Sequence, residues 1–193
     1  MTMRKRYLEL LASTGRPGRT DLASWLESTD FFTAPASTQY HGAHEGGLLE
    51  HSLAVYKNLD RIIKSCIFDY DGFIKDDTAI IVALLHDICK ADFYTVSTRN
   101  VKNEQTGQWE RVPYYAIEDT IPLGHGEKSV ILAMRHMPLT GDEIMAIRWH
   151  MAGFDDTARQ YAGGQALAAA LKKYPLITAL YMADMAATYF DGK

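Results

Sequence analysis

The sequence predicts an all-α domain with one inserted β-hairpin. Apolar residues recur mostly at helical spacing, whereas one segment, 94–117, is rich in Thr, Val, Tyr and Trp. The chain has 193 residues, of which 47% are hydrophobic, and this is enough to build one packed core. The sequence contains no internal repeat or long linker that would divide it. We therefore expect a single domain over 1–193, with its core at about 40–190 and an N-terminal helical extension at 1–39.

The first two core helices are marked by glycine, acidic residues and apolar spacing. The glycine pair Gly46-Gly47 precedes an apolar stripe of helical period over 48–63, so a helix is expected to begin there. The next helix carries the unbroken apolar run 80–85, which is typical of a fully buried helix. Asp76 or Asp77 is expected to cap its N-terminus, because a carboxylate can accept a hydrogen bond from the first free backbone amides.

Two later helices also carry start signals. Thr140 and Glu143 have the spacing of a capping box, in which each side chain accepts a hydrogen bond from the other residue's backbone amide. The box predicts a helix that runs through Met151. Pro175 is compatible with the first turn of a helix, because its missing amide proton is not needed there, and this predicts a last helix over 176 to about 190.

The segment 94–117 is predicted to form the hairpin, with its turn in the polar stretch 103–107. Three basic residues, Arg99, Lys102 and Arg111, would give the hairpin positive charge. One interpretation is a flap that meets an anionic ligand. The alternative is an ordinary solvated surface hairpin, because exposed loops are commonly charged.

Composition excludes several classes of protein. The formal net charge is −4, which argues against a dedicated duplex-binding surface and favours small substrates over long nucleic acid. We expect a cytoplasmic protein, because the sequence has neither a signal-peptide core nor an apolar run long enough to span a membrane. The two cysteines, Cys66 and Cys89, are too few for a disulfide framework, and Cys89 is interpreted as a buried thiol.

The most informative feature is the pair His86-Asp87, which directly follows the apolar run 80–85. A neutral polar group left without a partner in an apolar environment costs roughly 2–7 kcal/mol, and a charged group costs more. Imidazole and carboxylate are both good metal ligands. A divalent cation would therefore satisfy the two groups together.

Four other polar residues are also candidates for metal ligands. His51, His150 and Asp184 fall beside the apolar stripes of their helices, and His125 lies between two glycines just before an expected helix over 127–137. Each residue alone has an ordinary explanation, such as a hydrogen-bonded core histidine or a carboxylate paired with arginine. Together with the adjacent pair they would need six separate partners, whereas two neighbouring cations would satisfy all six.

The types and order of these six residues along the chain resemble the metal-ligand pattern of the HD-domain metal-dependent phosphohydrolase superfamily. The full set is similar to the two-metal branch of that superfamily and consists of His51, His86, Asp87, His125, His150 and Asp184. The stretches 46–52, 84–90 and 123–126 are similar to the HD domain of YhaM-type 3′-5′ exoribonucleases and to small bacterial and phage HD hydrolases. Those exoribonucleases also carry an OB-type nucleic-acid module, and no such module fits this sequence.

The resemblance implies a single HD-domain helical bundle with two divalent ions, drawn from Mn, Fe, Ni, Co, Zn or Mg. One ion would be held by four residues, namely His51, His86, Asp87 and Asp184. The other would be held by His125 and His150, with Asp87 bridging the two. Metals about 3.5–4 Å apart can convert a bridging water into hydroxide and neutralise charge on a phosphoryl group. The implied catalytic residues are Asp87, His86 and Lys90.

Other residues receive weaker assignments. Lys90, Arg99, Arg111 and Arg148 are candidates for substrate binding, and Arg148 and Glu127 are candidates for supporting the ligands. The alternative for Lys90 is an ordinary surface lysine. His41 and His44 could line the rim of the site, and His136 is interpreted as a structural residue near a helix end: a cation there suits the helix dipole.

The expected function is hydrolysis of a phosphoester or phosphoanhydride in a nucleotide or related small phosphate. Two alternatives within enzymes are a 3′-5′ exonuclease on short single-stranded nucleic acid and a hydrolase of dinucleoside polyphosphates or cyclic nucleotides. An alternative from another class is a regulatory domain that binds a nucleotide or metal without turnover. No membrane partner is expected.

Overall fold

The computed structural model describes residues 1–40, 42–65 and 74–191. Two residues discussed above, His41 and Cys66, lie outside these ranges. Within them, none of the helices combines the length and apolar character that crossing a membrane requires.

The described chain is mostly helical, as predicted. The described residues form eight α-helices, which in chain order are α1 Met3–Ser13, α2 Arg19–Ser28, α3 Gly47–Lys64, α4 Asp76–Leu85, α5 His125–Met134, α6 Gly141–Trp149, α7 Tyr161–Lys173 and α8 Leu176–Ala186. Two 3₁₀ turns and one π-helical turn complete the helical elements: Ile88–Lys90, Ala152–Phe154 and Ala187–Asp191. The two strands are β1 Tyr94–Lys102 and β2 Trp109–Ile117.

The hairpin has the predicted bounds, and its strands pair antiparallel with Tyr94 opposite Ile117. In this register Arg99 lies opposite Val112, and Arg111 lies opposite Asn100. Because neighbouring residues of a strand point to opposite faces, Arg99 and Arg111 lie on opposite faces of the hairpin. Both faces are largely exposed along β1, so the hairpin extends away from the helical core.

Helix α4 lies at the centre of the hydrophobic core. Every residue of 79–85 is buried, because this stretch is apolar on all sides. Helix α3 packs against both α4 and α8, while α6 contacts α4, α5 and α8. This arrangement brings the inner faces of α3, α6 and α8 towards the C-terminal end of α4, where the chain continues into His86 and Asp87.

The N-terminal helices pack into the same core. The Tyr7 ring is fully buried, and its hydroxyl donates a hydrogen bond of 2.9 Å to the backbone carbonyl of Leu84. Arg16 forms ion pairs with Glu143 at 2.8 Å and with Asp77 at 3.2 Å, which link the segment after α1 to α6 and α4. The expected extension 1–39 therefore contributes side chains to the core instead of lying outside it.

Helix ends follow some of the predicted signals. The capping box of Thr140 and Glu143 is present, with both hydrogen bonds formed. The prediction that Asp76 or Asp77 caps α4 is wrong: Lys75 occupies the cap position without a side-chain hydrogen bond, and both aspartates lie in the first turn. Asp77 instead pairs with Arg16, a partner that local sequence does not reveal.

Other helix limits also differ from expectation. Helix α6 ends at Trp149, before the predicted Met151. Helix α5 begins at His125 and ends at Met134, whereas 127–137 was predicted. Helix α8 ends at Ala186 and continues as a π-helical turn over 187–191, while Pro175 takes the cap position.

Candidate metal centre

The His86-Asp87 pair lies where α4 gives way to the 3₁₀ turn Ile88–Lys90. His86 is the C-terminal cap of α4, and the backbone leaves helical geometry at Asp87, where φ is −116°. Both side chains are buried, with exposed fractions of 0% and 4%. The tighter turn brings Lys90 back onto Asp87, and its ammonium lies 2.7 Å from Oδ2 of that carboxylate.

A first group of ligand atoms comes from three elements: His51 on α3, His86 after α4 and Asp184 on α8. Nε2 of His51 lies 3.1 Å from Oδ1 of Asp184 and 3.3 Å from Nε2 of His86. These residues are separated by up to 133 positions in the chain, yet their donor atoms converge on one point. The structure thus brings together three of the six residues that the sequence analysis predicts as metal ligands, and their role as ligands stays a prediction.

The two oxygens of Asp87 face different neighbours. Oδ2 lies 3.5 Å from Nε2 of His86 and 3.9 Å from Nε2 of His51, on the side of the first group. Oδ1 lies 3.6 Å from Nε2 of His150, which is the C-terminal cap of α6. One carboxylate is therefore shared between two sets of imidazoles.

A second group of ligand atoms is formed by Asp87, Cys89 and His125. Nδ1 of His125 lies 3.3 Å from Sγ of Cys89, which is buried in the 3₁₀ turn. Sequence analysis interpreted Cys89 as a core thiol and did not connect it with His125. The signal was weak, because the two residues are 36 positions apart and only the packing of α5 on this turn brings them together.

Gly126 explains how α5 approaches so closely. A Cβ atom at this position would collide with the backbone of Arg148 on α6, so only glycine permits the observed contact between the two helices. The contact positions the first turn of α5, and with it His125, beside the end of α6 that carries His150.

Two of the histidines are oriented by the backbone. Nδ1 of His86 donates to the carbonyl of Ala83 at 2.8 Å, and Nδ1 of His150 donates to the carbonyl of Ile147 at 2.7 Å. Because a carbonyl can only accept, each Nδ1 carries the proton, and in the neutral ring Nε2 keeps its lone pair. Nε2 of His150 is buried and has no hydrogen-bond partner among the described residues.

The two carboxylates remain ionised despite burial. Burial alone would raise the pKa of Asp87, but the Lys90 ammonium and the neighbouring imidazoles hold it well below its usual range. For Asp184, burial is likewise outweighed by the His51 hydrogen bond, and the pKa falls to about 2. Burial opposes the charge of Lys90, yet the Asp87 carboxylate raises the pKa of that amine.

The surroundings shift the pKa values of the histidines in different directions. Burial lowers the pKa of His86 to about 4 and also lowers the pKa of His125, which favours neutral rings. For His150, burial acts in the same direction, but the Asp87 carboxylate outweighs it and raises the pKa. The burial of Cys89 raises its thiol pKa to about 12, so this thiol is protonated at neutral pH.

These residues fit divalent metal ions. The cluster holds two carboxylates, Asp87 and Asp184, against one ammonium, Lys90, and so has an excess of negative charge. It also presents imidazole nitrogens with fixed lone pairs, one of which is buried without a hydrogen bond. Mixed imidazole and carboxylate donors suit Mn, Fe, Co, Ni and Zn.

A cavity of about 170 Å³ opens onto the first group. The site residues in its wall are His51, Asp87, Lys90 and Asp184. The rest of the wall is aromatic, sulfur-containing or hydroxylic and is built by Met151, Phe154, Tyr181, Met185, Thr188 and Tyr189. Cys89, His125 and His150 are not part of the wall; Cys89 and His150 are buried, and His125 is exposed.

The basic residues considered for substrate binding have different surroundings. Lys90 lies in the cavity wall beside Asp87. Arg148 forms ion pairs with Glu127 at 2.5 Å and with Asp155 at 2.8 Å, and its guanidinium lies 3.9 Å from the ring centre of Trp149. The structure therefore gives Arg148 and Glu127 a common role in joining α5 to α6.

The two hairpin arginines have partners within the hairpin. Arg99 lies 5.4 Å from the ring centre of Tyr114 and lines a separate cavity of about 490 Å³. Arg111 donates a hydrogen bond of 2.6 Å to the hydroxyl of Thr98. Neither arginine belongs to the wall of the cavity at the first group.

The remaining histidines are not part of the cluster. His44 is exposed, pairs with Glu50 at 3.5 Å and lines a neighbouring cavity of about 520 Å³ that also reaches His51. This position agrees with the predicted location at the rim. His136 stacks on Trp25 with ring centres 5.0 Å apart, as a structural residue would.

The fold and the cluster define a mostly helical protein with a buried set of histidine and aspartate side chains of the kind that binds divalent metals. The chain is similar to a curated relative, the dihydroneopterin 2′,3′-cyclic phosphate phosphodiesterase of Methanocaldococcus jannaschii, with 34% identity over 90 residues. The similar region covers 46% of this chain and spans 34% of the length of the relative. No family model matches the chain, and no solved structure matches it significantly.

Proposed function

We propose that the protein is an HD-type metal-dependent phosphohydrolase that cleaves a phosphoester or phosphoanhydride in a nucleotide or a related small phosphate. The observation that carries this proposal is the shared carboxylate of Asp87, whose two oxygens face separate sets of imidazoles. The similarity to a phosphodiesterase of a small cyclic phosphate supports the same class of reaction.

The arrangement of donor groups supports two metal positions in this proposal. His51, His86, Asp87 and Asp184 would hold one ion, and His125 and His150, with Asp87 shared, would hold the other. When bound, such ions supply a nucleophile by lowering the pKa of water and neutralise charge that develops on a phosphoryl group. The chain supplies oriented ligands, because the hydrogen bonds of His86 and His150 to backbone carbonyls fix the direction of each Nε2.

Lys90 is the proposed phosphate-binding residue. Its ammonium lies in the cavity wall, where it can contact a phosphate oxygen while its charge is balanced by Asp87 at 2.7 Å. Since Asp87 raises the pKa of the amine, Lys90 remains charged at neutral pH and can attract an anionic group to the metal side of the cavity.

The cavity wall favours a substrate with a planar ring. Phe154, Tyr181 and Tyr189 line the cavity together with the ligands, and aromatic side chains bind flat heterocycles by stacking. The compound for which the relative is named, dihydroneopterin 2′,3′-cyclic phosphate, combines such a heterocycle with a cyclic phosphate. We therefore propose a small phosphorylated heterocyclic compound as the substrate of this chain.

Metal analysis combined with a phosphate-release screen tests this proposal. Protein purified without chelator is analysed for bound metals, reloaded with manganese, and assayed against 2′,3′-cyclic nucleotides, a pterin cyclic phosphate, nucleoside mono- and triphosphates, dinucleoside polyphosphates and short single-stranded oligonucleotides. Turnover of a small phosphate that is lost in the chelator-treated protein supports the proposal. Turnover of the oligonucleotides alone supports the exonuclease alternative, and metal binding without any turnover supports a regulatory binding domain.

A further inference from the structure

We propose that Cys89 is a ligand of the second metal position, so that a thiolate joins Asp87, His125 and His150 there. The inference rests on the metal centre of the proposed function and extends it. Its result would be a centre with two unlike ions: one held by nitrogen and oxygen alone, the other by nitrogen, oxygen and sulfur.

The geometry supports this assignment directly. Sγ of Cys89, a carboxylate oxygen of Asp87 and a ring nitrogen of His125 all lie within 4.8 Å of one another. Donor atoms that surround a zinc ion at bond lengths of about 2.0–2.3 Å are separated by similar distances. His125 Nδ1 is the immediate neighbour of the sulfur at 3.3 Å.

The surroundings of Cys89 also favour a ligand. Its side chain is 1% exposed, and its backbone amide donates to the Ser129 hydroxyl at 3.2 Å, which ties the turn to α5. The sulfur is therefore held in place against His125 instead of being free to turn into solvent. A metal-bound thiol is deprotonated, so the thiol proton would leave for solvent when the ion binds.

A sulfur donor changes which metals are preferred. Thiolate selects zinc and other soft or borderline ions, whereas carboxylate and water suit magnesium and manganese. With Cys89 included, the second position would have four protein ligands, and sites with four protein ligands are typical of tightly held zinc. We therefore expect the second position to retain zinc, cobalt or iron and to discriminate against magnesium, while the first position, which lies beside the cavity, exchanges its ion with solvent.

Cobalt substitution tests the proposal by a readout that does not depend on activity. Chelator-treated wild-type protein is titrated with Co²⁺, and the near-ultraviolet absorption from sulfur-to-cobalt charge transfer is followed together with the number of bound ions. The same titration is made on Cys89→Ser, on Cys89→Ala and on Cys66→Ser, which removes the other cysteine as a matched control.

The expected result is a charge-transfer band in wild type and in Cys66→Ser that is absent from both Cys89 variants. A wild-type protein that binds two cobalt ions without this band overturns the ligand role of Cys89 and leaves the proposed function intact. A band that persists in the Cys89 variants but disappears in Cys66→Ser also overturns it. A wild type that binds no cobalt overturns both the proposal and the metal centre on which it rests.

Discussion

The two halves of the candidate centre differ in how they meet the rest of the protein. The half formed by His51, His86 and Asp184 opens onto a cavity with aromatic residues in its wall. The half formed by Cys89, His125 and His150 does not line this cavity; its Cys89 and His150 are buried, and its His125 is exposed. A position beside the cavity suits exchange with substrate, and a position with a sulfur donor, as proposed for Cys89, suits a tightly held ion. The contrast suggests that the two positions have different roles, although both share the carboxylate of Asp87.

One histidine of the second half is held differently from the others whose hydrogen bonds are described. His86 of the first half and His150 of the second each donate a hydrogen bond from Nδ1 to the carbonyl three residues earlier, a partner available to a residue that follows a helix. His125 is the first residue of α5, where no helical carbonyl precedes it, and its Nδ1 lies against the Cys89 sulfur instead. The orientation of His125 therefore depends on another segment of the chain.

Replacement of the shared carboxylate should have the largest effect, because it belongs to both halves. We expect Asp87→Ala to lose both metal ions and to lower turnover by more than about a thousandfold, since metal ions supply several kcal/mol of charge stabilisation and each ~1.4 kcal/mol is tenfold in rate. Metal content and phosphate release measure this. Asp156→Ala is the control, because that aspartate side chain is 95% exposed; an Asp87 variant with one full metal equivalent would contradict the shared role.

Replacement of one histidine from each half should separate the two positions. We expect His51→Ala to lose mainly the ion at the cavity, and His150→Ala to lose mainly the ion at the second position, so that each variant keeps about one metal equivalent. Metal analysis after dialysis measures the difference. His136→Ala serves as control, since this ring stacks on Trp25; full metal content and full rate in His150→Ala would rule out a second position.

The smallest expected effect concerns acid stability of the metal-free protein. The pKa of His86 falls from 6.5 to about 4, so the unfolded chain binds a proton first and His86 destabilises the fold as pH drops from about 6.5 towards 4. At about 1.4 kcal/mol per pKa unit this amounts to about 3 kcal/mol at most. The raised pKa of His150 has the opposite sign, because it adds stability below about 6.5 that is lost as pH rises through its folded pKa.

Urea unfolding at a series of pH values measures these contributions. The loss of unfolding free energy between pH 6.5 and 4 should become shallower in His86→Gln. In His150→Gln the change should instead appear above pH 6.5, where the variant lacks the loss of stability that His150 causes as it is deprotonated. If the unfolding free energy depends on pH in the same way in both variants and in wild type, neither histidine titrates as its surroundings indicate.

Much of the fold could be predicted from residue patterns within short segments of the sequence. The hairpin was predicted with its observed bounds, because β-branched and aromatic residues and a polar turn are properties of neighbouring positions. The capping box of Thr140 and Glu143 is local in the same sense. The cap of α4 was predicted wrongly because Asp77 pairs with Arg16, which is 61 residues away.

In the candidate site, too, local features were predicted and contacts between distant segments were missed. Periodicity placed His51 and Asp184 towards the core, and the structure brings these two side chains into contact. The contact of Cys89 with His125 was missed, because spacing reports only which face of its own helix a residue occupies. The contact of Cys89 with His125 depends on the 3₁₀ turn after Asp87 and on the close approach of α5 to α6 that Gly126 allows. Neither feature is visible in the pattern of apolar residues.

The contact between His51 and Asp184 has a consequence for the growing chain. Domains fold as their segments leave the ribosome, and the first ligand of this centre emerges 133 residues before the last. Until α8 has been synthesised, His51 and His86 lack their carboxylate partner on that helix. In the proposed centre, binding of the ion beside the cavity would therefore be a late event of biosynthesis, and it would fasten the last helix onto a core that has already formed.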